Sequence, residues 1–197
     1  MKQFLELSPN VRLVDAAVEA ALRVSDQVIL VLPPGAQWDG REVASRVKGG
    51  ATRLESVANA LAVLSGDPMV VLIHDAAHPL ARQNVFTEVI DAVISGADGA
   101  VPILPVSDVV KRRDEGGRIS TVGRDGLGLA QVPMAFATEA LLAAHARASY
   151  GSSAWEDAEL VERNGGLVVS VPGSSRNVHI VTAEDLEIAR SLASIEE

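Results

Sequence analysis

The sequence predicts an α/β protein: a mostly parallel sheet covered by helices. Three observations carry this reading. Val70-Val71-Leu72-Ile73 is a continuous apolar run that ends in His74-Asp75-Ala76-Ala77-His78-Pro79, as a buried parallel strand does where open α/β sheets place ligands. Short β runs alternate with amphipathic helical stretches through the first half, which implies right-handed crossovers. Apolar residues make up 48% of the chain but aromatics only 3%, which suits layers of Ala, Val and Leu.

Each element follows from its local pattern. Asn10 is the expected cap of a helix whose apolar face is Val11, Val14, Val18, Ala21 and Leu22. Gln27–Leu32 reads as a strand closed by Pro33-Pro34-Gly35. Residues 53–64 are expected to be helical, with Leu54, Val57, Leu61 and Leu64 on one face. Met69–Ile73 is the second strand. Val85, Val89 and Val93, with Phe86, Ile90 and Ile94, define the next helix. Gly99–Leu104 is a third strand, broken at Pro102 and Pro105.

The middle changes character. Ser107–Arg113 and Arg118–Val122 are short polar strands around Glu115-Gly116-Gly117, the pattern of a β-hairpin. A polar hairpin sits poorly inside a parallel sheet, so an arm over about 107–124 is expected. Thr138 opens a helix through His145, residues 155–164 form a short helix, and Gly166–Val171 is a strand. Thr182-Ala183-Glu184-Asp185 has capping-box spacing and starts the last helix. One domain over 1–197, with its arm, is the reading.

Composition bounds the function. There is no Cys, so disulfides and thiolate metal sites are excluded. No apolar run is long enough to span a bilayer and the N-terminus has no signal-peptide core, so a cytoplasmic protein without a membrane partner is expected. The net charge of −9 argues against nucleic acid as a partner, because no basic stripe can neutralise several phosphates. A small nucleotide is compatible, since it needs only a few local cations. Asp75, at the end of its strand, is placed to hold a divalent cation beside a phosphate; capping of the next helix is the competing reading.

Six segments occur in a telling order. They are Gly49-Gly50-Ala51-Thr52-Arg53-Leu54-Glu55-Ser56-Val57, the HDAAHP of 74–79, Pro105-Val106-Ser107-Asp108-Val109-Val110-Lys111, Gln131–Phe136, Glu156–Glu162 and Asn177–Leu186. Together they resemble the GG-x-x-R-x-x-S-V, HDAARP, P-V-x-D-T-I-K, QTPQ-x-F, DDA-x-LVE and N-I-K-I-T-x-x-DL motifs of the 2-C-methyl-D-erythritol 4-phosphate cytidylyltransferase family. The resemblance implies a Rossmann-like, three-layer nucleotidyltransferase fold and transfer of CMP from CTP to a polyol phosphate. It implies Lys2 and Asp75 as catalytic residues, with Mg²⁺ on Asp75. It places Gly49, Gly50, Arg53, Ser56, Asp75 and Ala76 around the nucleotide, the Gly49-Gly50 turn being suited to hydrogen-bond a cytosine edge. It places Asp108, Arg124, His78 and His179 around the acceptor. It also implies a homodimer through the hairpin arm.

Departures from the family pattern are as informative. Lys2-Gln3-Phe4 matches the end of the family's opening motif, whose first strand and glycine-rich loop precede the point where this sequence begins. His78 replaces an Arg, His179 a Lys, Val109 and Val132 each a Thr, and Trp155 another Thr. A neutral imidazole offers one donor where a guanidinium offers a charged fork. These changes leave two alternatives open: a nucleotidyltransferase with another acceptor, or a non-catalytic paralogue. His74, Asp75, His78 and His179 also form a possible zinc set, weighed against simple surface replacement. Plainer roles are expected elsewhere: Met69 and Met134 in the core or a pocket wall, Trp38 over a sheet edge, Glu156 and Asp157 as helix-start carboxylates as readily as a metal site, and Glu196-Glu197 as a solvated tail.

Overall fold

In the computed structural model, three strands that share one direction and a fourth that opposes them make the sheet on which the molecule is built. The structure describes residues 1–148 and 156–195; the readings of Trp155 and of Glu196-Glu197 lie outside them. The sheet order is β11 (Val168–Pro172), β6 (Gly99–Pro105), β10 (Met134–Ala137), β5 (Val70–Ile73), with β9 (Gly128–Ala130) added along the far half of β6. β11 runs parallel to β6, and β10 runs antiparallel to both β6 and β5. β3 (Ile29–Leu32) and β4 (Ser45–Lys48) form a separate parallel pair.

Period-two alternation sorts the side chains of the sheet into two layers. Met134 and Phe136 of β10, Ile73 of β5 and Val101 of β6 point to one face. There they meet α2 (Arg53–Leu61), α4 (Thr138–Arg147) and α5 (Asp157–Arg163) through Leu54, Leu141, Ala144, Leu160 and Val161. Ala135, Ala100, Val70 and Leu72 point to the other face and pack on Val89 and Val93 of α3 (Gln83–Ile94). This is the expected three-layer arrangement. Pro102 does not break β6, because the strand pairs on both sides around it.

The N-terminal third attaches by two smaller clusters. α1 (Leu13–Leu22) places Val14 and Val18 against Leu32 and Trp38. Trp38 is buried against Leu32 of β3, and its indole Nε1 donates to Asp15 Oδ1 at 2.7 Å. Leu7 of β1 (Glu6–Ser8) and Leu13 meet Ile180, Leu186 and Ala189 of α6 (Ala183–Ala193). Arg190 fastens this contact by donating twice to the Glu6 carbonyl.

Caps follow the sequence in one case and depart from it in another. Thr182 and Asp185 form the expected reciprocal box at α6. α1 is capped by Arg12 with Asp15, not by Asn10. Asn10 has φ +62° and turns the chain between β1 and β2 (Val11–Arg12), a left-handed position that Asn tolerates. Met134 is buried as expected, whereas Met69 is 74% exposed.

The arm is present. β7 (Val110–Arg113) and β8 (Ile119–Val122) pair antiparallel with Val110 opposite Val122. Its turn is closed by Gly117 at φ +79° and by Asp114, whose Oδ1 accepts from the Arg118 amide. Both strands are largely exposed. Among the described residues, no helix is long and apolar enough to cross a membrane.

Candidate active site

The candidate site gathers at the carboxyl end of β5, where three chain segments converge. The first is the loop between β4 and α2. Gly49 donates to the Leu32 carbonyl at 2.8 Å and Gly50 to Ser56 Oγ at 3.1 Å. The Ser56 hydroxyl in turn donates to the Thr52 carbonyl at 2.8 Å, and Thr52 Oγ1 caps the Glu55 amide. A Cβ on Gly50 would lie 2.3 Å from Glu55 Cβ, so the loop can press onto its helix only with glycine there. Both glycine amides are engaged, that of Gly49 with β3 and that of Gly50 with Ser56 of α2.

The second segment is the turn after β5. The His78 amide donates to the Asp75 carbonyl at 2.9 Å, closing Asp75–His78 into a tight turn. The Asp75 side chain stays 42% exposed, and its Oδ2 lies 3.6 Å from Arg53 Nε. Arg53, the first residue of α2, therefore joins the glycine loop to the strand end. Burial alone would lower its pKa, but the carboxylates of Asp75 and Asp157 outweigh that and raise it. Ala76 packs on the cluster that also holds Phe4, which brings the 3₁₀ turn of Lys2–Phe4 to this side of the molecule.

The third segment is 177–181. Asn177 is 1% exposed and donates from Nδ2 to the Val132 carbonyl at 2.7 Å. Gln131 grips the same loop through Ser174 and Asn177. The Ile180 amide donates to the Ala77 carbonyl at 2.9 Å, pinning the loop to the Asp75 turn. His78 and His179 thereby stack, 4.6 Å between centroids and 14° from parallel. Burial and the neighbouring His179 push His78 below the ordinary imidazole pKa, so near neutral pH it presents no fixed charge.

Asp108 and Arg124 lie at the base of the arm, both exposed. Arg124 donates to the Ser107 carbonyl beside Asp108. The site residues read from the sequence thus form two groups, one around Arg53 and Asp75 and one at the arm.

The imidazoles do not build a metal centre with Asp75. Among the described residues, no three His, Asp or Glu side chains gather to hold an ion, and two stacked, near-parallel rings do not aim their nitrogens at one point. A lone accessible carboxylate does fit Mg²⁺, which commonly takes one or two carboxylates and leaves its other positions to water and phosphate.

His74 has a separate role. Its ring packs edge-on against Phe86, and neither ring nitrogen has a hydrogen-bond partner or contact with solvent. Burial lowers its pKa from 6.5 to about 4. The unfolded chain therefore binds the proton first as the pH falls. Stability from neutral His74 is complete above pH 6.5 and is lost on acidification toward pH 4. In metal-free buffer, wild type is expected to lose about 3 kcal/mol more than His74→Phe across that window. Denaturant titrations at a series of pH values measure the difference, and parallel curves refute it.

Sequence reasoning missed Asp157. It stands at the start of α5 as expected, but its side chain is fully buried, takes a hydrogen bond from Arg53 Nη1 and lies 2.9 Å from His145 Nε2. Its neighbour Glu156 is held above the usual carboxylate pKa, chiefly by burial.

The comparisons with known proteins agree with this geometry. The family model described as 2-C-methyl-D-erythritol 4-phosphate cytidylyltransferase matches residues 1–194. A protein of that name from Saccharopolyspora erythraea is 45% identical over 150 residues, covering 74% of this chain and 66% of its own. One from Aquifex aeolicus is 40% identical over 185 residues, covering 92% and 84%. The crystal structure of the Thermus thermophilus protein of the same name superposes with a TM-score of 0.87 at 34% identity, over 98% of this chain and 93% of that one. On these findings, the chain belongs to the 2-C-methyl-D-erythritol 4-phosphate cytidylyltransferase family.

Proposed function

We propose that this protein transfers CMP from CTP to 2-C-methyl-D-erythritol 4-phosphate. An oxygen of the acceptor phosphate attacks the α-phosphorus in line, and pyrophosphate leaves. The observation that carries this reading is the exposed Asp75 carboxylate at the end of β5, 3.6 Å from Arg53 on the glycine loop. Family membership supports the substrates.

In this reading the loop of Gly49, Gly50, Arg53 and Ser56 receives base and ribose, with Ala76 beside them. Lys2 meets the phosphates, and Asp75 is the residue that would hold Mg²⁺. The cation supplies charge neutralisation on the phosphoryl oxygens; the chain's own residues position two anions that would otherwise repel. His78 and His179 border the acceptor side. Asp108 and Arg124 reach the acceptor phosphate from the arm of a second copy, so the working form is a homodimer.

Pyrophosphate release from CTP, with and without acceptor and with ATP in place of CTP, tests the reading. Release only with CTP, acceptor and Mg²⁺ together is expected. Micromolar, CTP-selective binding by calorimetry is expected alongside it. Failure to bind CTP at millimolar concentration by the folded protein overturns the proposal.

A further inference from the structure

Asp157 is a fully buried carboxylate that the proposed chemistry does not use. It stands at the first turn of α5, yet its two oxygens face inward rather than toward that helix's own amides. Oδ2 accepts from Arg53 Nη1 across 104 residues of sequence, and Oδ1 lies 2.9 Å from His145 Nε2 on α4. A carboxylate oxygen accepts, so Nε2 carries the hydrogen. A buried ion pair of this kind is a poor device for stability, because desolvation offsets most of its attraction. Its other effect is orientation.

The geometry around Arg53 shows what is oriented. An unconstrained guanidinium would close on a neighbouring carboxylate side-on, with Nε within about 2.9 Å of oxygen. Here Nε stops 3.6 Å from Asp75 Oδ2. That contact is an ion pair too long for a hydrogen bond, while Nη1 of the same guanidinium donates to Asp157, whose other oxygen lies 2.9 Å from His145 Nε2. The side chains of Asp157 and His145 are 0% and 5% exposed, so little water competes with their contact, while Arg53 is 31% exposed.

We infer that Asp157 is a positioning residue: it holds Arg53 from its buried side, keeps the guanidinium from capturing Asp75, and so leaves that carboxylate available to a divalent cation. His145 supports it by locking the Asp157 carboxylate. This rests on the reading of Asp75 as the cation ligand. The effect runs through Arg53, so neither Asp157 nor His145 touches substrate.

Calorimetric titration of CTP at a series of Mg²⁺ concentrations tests it. Asp157→Asn keeps the shape but weakens the hold, and is expected to raise the Mg²⁺ concentration for half-maximal CTP binding about 10- to 100-fold, the usual penalty for losing a group behind a metal ligand. A lower melting temperature with an unchanged Mg²⁺ requirement would show a merely structural pair and overturn the inference. If Asp157→Asn does not fold, His145 decides: His145→Gln retains a donor and should match wild type, while His145→Leu should raise the requirement several-fold. Equal behaviour of the two variants would overturn it.

A nucleotide-free measurement separates this inference from the function it rests on. In ¹⁵N-labelled, metal-free protein the Arg53 Nε–H signal, identified by its loss in Arg53→Lys, is expected to exchange readily in wild type, where Nε is kept 3.6 Å from Asp75, and to become protected in His145→Leu, where the released guanidinium closes on Asp75. Equal exchange in the two proteins rejects the clamp even if CTP binds. Absence of CTP binding with the clamp intact strikes the function alone.

Discussion

Asp75→Asn is expected to lower cytidylyl transfer roughly 10³-fold, a loss of about 4 kcal/mol of charge stabilisation, with little change in stability. The two outcomes separate because of where Asp75 sits. Its side chain is 42% exposed, and the turn it opens is closed by its backbone carbonyl, not its carboxylate. Asparagine preserves that turn. Arg53 remains held by Asp157, so the substitution strands no guanidinium. What disappears is the one charged oxygen pair at the end of β5 that faces outward. Pyrophosphate release at saturating CTP, acceptor and Mg²⁺, read beside a melting curve, measures both effects. Activity within tenfold of wild type would remove Asp75 from the role of cation ligand, whatever the rest of the site does.

The position of Asp75 was legible in the sequence because it rests on local pattern. An apolar run that ends in Asp and Pro marks a buried strand with a carboxylate at its functional end, and Val70–Ile73 folds that way. The hairpin arm and the Thr182–Asp185 box were legible for the same reason: both are fixed by residues within a few positions of each other. The site's internal wiring was not. Glu156-Asp157 before a short helix reads as dipole-favoured carboxylates, and nothing nearby signals that Asp157 faces an arginine 104 residues away. Only tertiary packing of α4 and α5 over the sheet makes it the most buried acid in the described molecule. Similarly, Gly49-Gly50 looks like a pair of free amides until Leu32 and Ser56 are placed beside it. β10 was hidden differently. Its four residues follow a proline within a motif whose length gives no period to count. Its direction, against its neighbours on either side, is a property of the whole sheet.

β10 also sets the largest expected loss of stability. Phe136 is fully buried, opposite Val71 on β5 and Gly99 on β6, with its side chain in the cluster of Leu141, Val161 and Val101. It fills the sheet face beneath α4 and α5, at the one point where β6 presents no side chain. A Cβ on Gly99 would meet the ring at 3.0 Å, so glycine and phenylalanine are a matched pair: the missing side chain makes room for the ring. Phe136→Ala is expected to cost about 3–5 kcal/mol, the transfer term plus the cavity. The denaturation midpoint should fall, with the slope unchanged. Gly99→Ala alone should destabilise by a smaller amount, because the ring must shift by a few tenths of an ångström. The double variant supplies the sharper test. With the ring gone, the new methyl keeps only its close approach to Val168 Cγ2 at 3.2 Å and no longer meets the ring. The combined loss should then be smaller than the sum of the single losses, by about 0.5–1 kcal/mol or more. Strict additivity would mean that Phe136 and Gly99 do not share a packing site, and that the paired register of β6 and β10 does not set the shape of this core.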